Sequence, residues 1–343
     1  MSSHPVEEDI DSTVADPDFR IVTTLKHTLF NARDVKSQEE PASYRALIRQ
    51  WREVNRELLA LHARRLREAA DAFGWADVAV RFSSPAAAGE REGNGDGEGD
   101  DALIPSGAEG PINLEFLVED AAAKSQGDSS SQGPGVGFLR DLRVRVLISR
   151  DGDVTVQCTP MGADQPLSTL ARSLDMYTSC PFTGPAVLGQ KEQQRQSAAV
   201  SPLCEVSVDA QHTHVSVFTR HKTTHRKPYD DARARVPAPP LLPTTPPTAR
   251  EVLLSNSNAQ ITEASLSTVY FPRGGGRWLT PRSACGGMQS VTRLYALAAG
   301  WCDEGTVLVH EVRDGEMIWL SNAVRGFFPG VVKLGGQGAR GST

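Results

Sequence analysis

From Ala42 to Trp75 the apolar residues Leu47, Trp51, Val54, Leu58, Leu61 and Leu66 recur at steps of three, four and five. That spacing predicts one long amphipathic helix or two in succession. The period then changes. Leu142, Val144, Val146 and Ile148 alternate with Arg143 and Arg145, and Asp151-Gly152 supplies a turn into Val154-Thr155-Val156. A half-buried hairpin is expected there. A second alternation, Val206, Val208, Val215, Val217 and Thr219, predicts strands running directly into His221-Lys222. Ala264 to Phe271 reads as a strand and Val291 to Ala299 as a helix. Met317 to Leu320 reads as a short strand before a turn at Asn322. Strands outnumber helices in the second half, so the fold class expected is α/β in the mixed, α+β sense.

Three segments break this patterning. Ser84 to Pro134 is mostly Gly, Ser, Ala, Glu and Asp, and buries too little apolar surface to offset the entropy of ordering. Its one apolar patch, Ile112 to Val118, reads as a strand. Val236 to Pro247 is a Pro-rich connector expected to be extended, and Gly335 to Thr343 a Gly-rich tail. The acidic start, residues 1–17, is expected to be disordered and has no secretory pattern.

Composition narrows the classes. The 343 residues are 39% apolar and 23% charged with a net charge of −6, values of a soluble globular protein with no general pull toward nucleic acid or an anionic membrane. No apolar run approaches the roughly 18 residues of a membrane span. The five cysteines are scattered, without the C-x-x-C or histidine spacing of a metal site. They read as reduced thiols of a cytoplasmic protein that holds no metal.

Four segments carry candidate chemistry, and each has a plainer reading. In RHKTTHRKPYDDAR, residues 220–233, Lys222 sits among His221, His225, Arg226 and Lys227. Positive neighbours and partial burial lower a lysine's pKa and favour imine formation. Composition alone favours a solvated basic turn. Glu263 interrupts a polar-to-apolar strand, where a carboxylate is costly unless partnered, for instance by a protonated pyridine nitrogen; an edge glutamate facing water is the plainer alternative. GGMQSVTR, residues 286–293, offers glycines, hydroxyls and helix-start amides to a phosphate, or simply caps a helix. In LHARRLREAADAFGW, residues 61–75, an arginine could clamp a phosphate or line an exposed face.

The four occur together and in order. His62, Arg65 and Leu66 are followed by Lys222, by Glu263 41 residues further on, by Ser290-Val291-Thr292-Arg293, and by WLSNAVRG from Trp319 to Gly326. In this the chain resembles the class IV aminotransferase family of pyridoxal 5′-phosphate enzymes over about Phe19 to Arg81 and Asp141 to Val332. HKTTHRKPYDDAR and WLSNAVRGF resemble its fungal aminodeoxychorismate lyase-like branch most. The resemblance implies a smaller N-terminal domain, 18–160 with the insertion 84–134, and a larger one, 161–334 with the connector 236–247. The cofactor lies between them, in a homodimer. It implies Lys222 as Schiff-base lysine and general acid/base, Glu263 against the pyridine nitrogen, and Arg65 with the amides of Val291 and Thr292 on the phosphate. The loop Ser321-Asn322-Ala323 closes the phosphate side. Arg145, then Arg143 and Arg325, are the candidates for substrate carboxylates. The expected reaction is conversion of 4-amino-4-deoxychorismate to 4-aminobenzoate and pyruvate, a step toward folate. The alternatives are a branched-chain or D-amino acid aminotransferase and a non-catalytic cofactor-binding relative.

Overall fold

The computed structural model describes residues 10–30, 42–82, 110–125, 138–166, 169–182, 203–236, 239–242, 245 and 247–334. Most of the 84–134 insertion, the first nine residues and the tail from 335 lie outside them. Within the stretch expected to be disordered at the start, Ile10–Ala15 forms a short helix, α1.

The first sheet is antiparallel. β1 (Ile21–Phe30) pairs with β2 (Phe138–Ile148), which pairs with β3 (Val154–Pro160) and, at its start, with β4 (Gln165–Pro166). The predicted hairpin is present, with Ile148 opposite Val154 and Gly152 at φ 84° in the turn. Leu142, Val144, Val146 and Ile148 are all buried. They pack with Leu59, Leu66, Ala69 and Ala70 of α2 (Ala42–Ala72), a single 31-residue helix where one or two were expected. Farther toward its start, α2 sends Trp51 and Val54 into a second core with Tyr177, Tyr295 and Phe327. The helix therefore spans both halves of the molecule. α3 (Ala76–Val80) follows it directly.

Ile112 to Val118 is not a strand. Leu114–Lys124 is a helix, α4, started by Asn113, whose side-chain oxygen accepts from the Phe116 amide at 3.0 Å. Leu114, Val118 and Ala122 are its buried stripe, and this four-residue period extends past the short apolar window into Ala121 to Ala123.

The second sheet has eight strands in the order β10-β9-β8-β11-β12-β5-β6-β7. They are β5 (Cys204–Val208), β6 (Arg250–Ser255), β7 (Ile261–Ala264), β8 (Thr268–Arg273), β9 (Arg277–Pro281), β10 (Asp303–Gly305), β11 (Met317–Asn322) and β12 (Gly326–Val332). α5 (Leu170–Thr178) precedes it, and α6 (Val217–Arg220), α7 (Lys227–Ala234) and α8 (Val291–Ala298) are interspersed. Ala264 to Phe271, expected as one strand, is therefore two, broken at Ser265–Ser267. The break shapes the sheet. β7 and β8 lie five strand spacings apart in the pairing order, about 24 Å if flat. Four Cα steps from Ala264 to Thr268 reach about 15 Å at most. The sheet must curl, and the 265–267 turn closes the curl.

The expected strand over Val215 to Thr219 is also absent. Ser216 caps α6, accepting from the Phe218 amide at 3.3 Å while its own amide donates to Thr219 Oγ1 at 3.1 Å. This local capping box overrides the β-branched alternation. Lys222 thus follows a capped turn rather than a strand. Its carbonyl accepts from the Val22 amide at 2.8 Å, and Thr223 bridges Ile21, so β1 holds the backbone of the lysine segment. Among the described residues no helix is long and apolar enough to cross a membrane.

Candidate active site

A cavity of about 450 Å³ opens between the two sheets. Its wall takes Thr24 from β1, Arg65 from α2, Arg143 from β2, Lys222, Arg226 and Tyr229 around α7, and Glu263 from β7. Thr245 and Pro247 of the connector, the 265–268 turn, Met288 with the start of α8, and the loop Ser321–Arg325 complete it.

Lys222 is half-buried and its Nζ donates to Thr24 Oγ1 at 3.0 Å. Burial, then the charges of Arg65, Arg226, Arg143 and Arg145, hold its ammonium well below the ordinary lysine range. Of the basic residues close to it in sequence, only Arg226 belongs to this set. Lys227 pairs with Asp231 at 2.6 Å, and His221 lies edge-on to Phe73. The remaining cations come from β2 and α2, which sequence neighbourhood cannot show. An amine kept largely neutral is a nucleophile able to form a C=N bond with an aldehyde.

Glu263 stands on the last strand of the sheet, yet it is buried. Its Oε1 accepts from Tyr229 Oη at 2.9 Å and from the Met288 amide at 3.1 Å. Burial pushes the carboxyl up to about 7, against the lowering effect of these bonds. The glycines before α8 make this approach possible. A Cβ on Gly287 would lie 2.5 Å from the Thr262 carbonyl oxygen, so only glycine lets that segment cover β7 and aim the Met288 N–H at Glu263.

On the same cavity, Arg65 is 5% exposed, with Nη2 donating to Thr23 Oγ1 and Nε without a hydrogen-bond partner among the described residues. Burial lowers its pKa to about 10. Ser290 caps α8, its Oγ accepting from the Arg293 amide at 3.2 Å. The amides of Val291 and Thr292, in the first turn, have no carbonyl within the helix to bond. The Thr292 side chain does not reach the wall. Its Oγ1 accepts from Ser321 Oγ at 2.8 Å, and Ser321 Oγ bonds Tyr270 Oη at 2.8 Å, a buried hydroxyl chain that ties α8 to two strands. Asn322 shapes the loop after β11, its Oδ1 accepting from the Val324 and Arg325 amides at 3.1 and 3.0 Å. A buried guanidinium on a cavity wall beside a helix start can take an anion of phosphate size.

The carboxylate candidates separate. Arg143 and Arg325 are exposed side chains on the cavity wall, whereas Arg145, favoured from the sequence, is half-buried and off the wall. The register sets Arg143 opposite Lys26 and Arg145 opposite Thr24. Sequence reasoning did not single out Thr24, Arg226 or Tyr229 as site residues. Arg226 stacks over the Tyr229 ring at 4.9 Å and donates to the Ser265 carbonyl at 3.0 Å. An aromatic residue inside the charged run KPYDDAR was the available signal for Tyr229.

The family model described as amino-transferase class IV matches residues 48–331. The chain is 28% identical over 234 residues to the aminodeoxychorismate lyase of Saccharomyces cerevisiae, covering 64% of this chain and 60% of that one. A Schizosaccharomyces pombe protein named provisionally for the same activity is 26% identical over 236 residues, 65% of this chain and 83% of that one. Among solved structures, an amino-acid aminotransferase so named provisionally from Mesorhizobium loti is 17% identical with a TM-score of 0.49, covering 92% of this chain and 100% of that one. That last likeness is too loose to inform the site.

Proposed function

The chain belongs to the class IV aminotransferase family, and from that premise we propose that it is a pyridoxal 5′-phosphate enzyme converting 4-amino-4-deoxychorismate to 4-aminobenzoate and pyruvate. The observation that carries the proposal is the convergence of Lys222, Glu263 and a buried Arg65, without a carboxylate partner among the described residues, on one cavity. The residues fit the cofactor at three points. Arg65 and the first amides of α8 would hold its phosphate, Lys222 its aldehyde carbon, and Glu263 its ring nitrogen. Two features favour the lyase over an aminotransferase. The relatives in both yeasts are named for the lyase, the Schizosaccharomyces pombe one provisionally. The wall also carries Arg143, Arg226 and Arg325 beyond Arg65, suited to a substrate with two carboxylates.

Pyridoxal 5′-phosphate, when bound, supplies an aldehyde that links to the substrate nitrogen and a ring that takes up the electron pair released at the adjacent carbon. Lys222 does the proton work. Its neutral amine, positioned by Thr24, removes the proton from the amine-bearing ring carbon. As an ammonium it returns a proton to the methylene carbon of the departing enolpyruvyl group. The carbon–oxygen bond to the ring breaks, pyruvate leaves, and the carbocycle becomes aromatic, which makes the elimination downhill. Glu263, held by Tyr229 and the Met288 amide, would supply the counter-charge to a protonated ring nitrogen and so keep the ring electron-withdrawing.

A homodimer and a cytoplasmic setting go with this reading, the second supported by five cysteines that are all free thiols. The test is pyruvate release from enzymatically made aminodeoxychorismate, set against amino transfer to a keto-acid acceptor. Pyruvate formation without acceptor is expected, and turnover only with an acceptor would overturn the lyase reading. Borohydride reduction followed by peptide mapping should leave the pyridoxyl group on Lys222; an adduct on Lys191 or Lys227 would overturn its assignment.

A further inference from the structure

His62 begins the His62-x-x-Arg65 pair of α2, and nothing in the reaction uses it. It is 1% exposed, and Thr23, across from it on β1, is fully buried. The distance from His62 Nδ1 to Thr23 Oγ1 is 2.6 Å, and the same Oγ1 accepts from Arg65 Nη2. A threonine hydroxyl has one hydrogen and two lone pairs, while a guanidinium only donates. One lone pair is therefore committed to Arg65. If Nδ1 also donated, the hydroxyl hydrogen would be stranded in a buried site, at the full desolvation penalty of an unmade bond. The consistent arrangement has the hydroxyl donating to Nδ1, with the imidazole hydrogen on Nε2. Burial and the charges of Arg65 and Lys222 keep the ring neutral, as that arrangement requires.

We propose that His62 is a positioning residue: by accepting at Nδ1 it turns the Thr23 hydroxyl so that its lone pair pins one arm of Arg65, holding the guanidinium at the cavity wall for a phosphate. The inference rests on the reading of Arg65 as the phosphate ligand. Helix geometry supports it, since residues three apart share a face and His62 and Arg65 meet one strand side chain.

The test is the phosphate preference of the full chain freed of cofactor, measured as the ratio of dissociation constants for pyridoxal and pyridoxal 5′-phosphate. His62→Ala should lower the ratio about tenfold, the loss of one well-placed charge-assisted bond. Thr23→Val, of equal shape, should do the same, and the double variant should be no worse than either. His62→Asn, whose Oδ1 stands near the Nδ1 position and only accepts, should restore most of it. Equal weakening of both ligands would mean a general packing role, and an unchanged ratio in His62→Ala or Thr23→Val would mean no role; either overturns the inference. Should His62→Ala fail to fold, Thr23→Val and His62→Asn decide the matter alone. A wild-type chain without any phosphate preference would sink the Arg65 reading and this inference with it. A wild-type preference that the variants leave intact would sink only the inference.

Discussion

Two arginines, Arg65 of α2 and Arg233 of α7, are both nearly out of reach of water, at 5% and 1% exposure. Their surroundings differ. Arg233 faces a fully buried carboxylate, Glu251, and its two terminal nitrogens also bond Ser265 Oγ at 2.9 Å and the carbonyls of Leu242 and Thr245 at 2.7 and 3.2 Å. Glu251 in turn accepts from Ser265 Oγ and from the Leu266 amide at 2.9 Å. This cluster fastens the Pro-rich connector and the β7–β8 turn to the sheet. Arg65 pairs with no carboxylate among the described residues and bonds a threonine hydroxyl at the edge of a cavity. A buried charge with its counter-charge is architecture. One without it, facing a cavity, is a place prepared for an anion.

Stability should separate the two sharply. Arg233→Met strands Glu251, and breaking a buried pair in this way costs about 3–5 kcal/mol. Thermal denaturation should show a large drop, and Arg233→Met with Glu251→Leu should recover much of it. A melting point unmoved by Arg233→Met would erase the contrast. Arg65→Met, by comparison, removes an uncompensated charge, so the cofactor-free chain should melt at the same temperature or higher. Its affinity for pyridoxal 5′-phosphate should fall by about ten- to hundredfold, the worth of a charge-assisted contact.

The buried Glu263 extends the comparison to pH. Glu263 has a carboxyl pKa of about 7 where an ordinary one is 4.5, with burial the first cause. The unfolded chain loses this proton before the folded one does. The group's contribution is therefore fully present below about 4.5 and is lost as pH rises toward about 7, by at most about 3 kcal/mol. In the cofactor-free state Glu263→Gln should be stabilised relative to wild type at pH 8 and not at pH 4, as read by melting temperature. A difference that does not change with pH would remove the desolvated carboxyl from the account. With cofactor, the same variant should bind but turn over orders of magnitude more slowly, since the ring nitrogen loses its counter-charge.

The smallest effect concerns the two arginines of β2. Arg143→Met should reduce kcat/KM on aminodeoxychorismate by about tenfold, and Arg145→Met by less, because only Arg143 lines the wall. The reverse order would restore Arg145, on the same strand face, as the carboxylate ligand.

Much of the local structure was legible. The α2 stripe, the β2–β3 hairpin and α8 follow from hydrophobic period and turn residues, which act within a few positions along the chain. Where reading failed, a nearby polar group decided instead. Asn113 capped Leu114–Lys124 into a helix, Ser216 did the same for Val217–Arg220, and the buried carboxylate of Glu251 captured Ser265 and Leu266 and broke a strand in two. The choice between Arg145 and Arg143 is of another kind. Arg143 and Arg145 share a strand face, and only the approach of the second sheet distinguishes them.

Sequence alone determined the family, through motif residues whose types and order hold regardless of how the chain closes on itself: Lys222, Glu263, and His62 with Arg65. Tertiary structure decided what those residues experience. The cations that depress Lys222 arrive from α2, β2 and the segment before α7, and the hydrogen-bond donors on Glu263 come from Tyr229 and Met288. The physical reason is range. Hydrophobic periodicity and capping act over one or two turns of chain, whereas desolvation and charge act through space, between residues that only the curled sheet brings together.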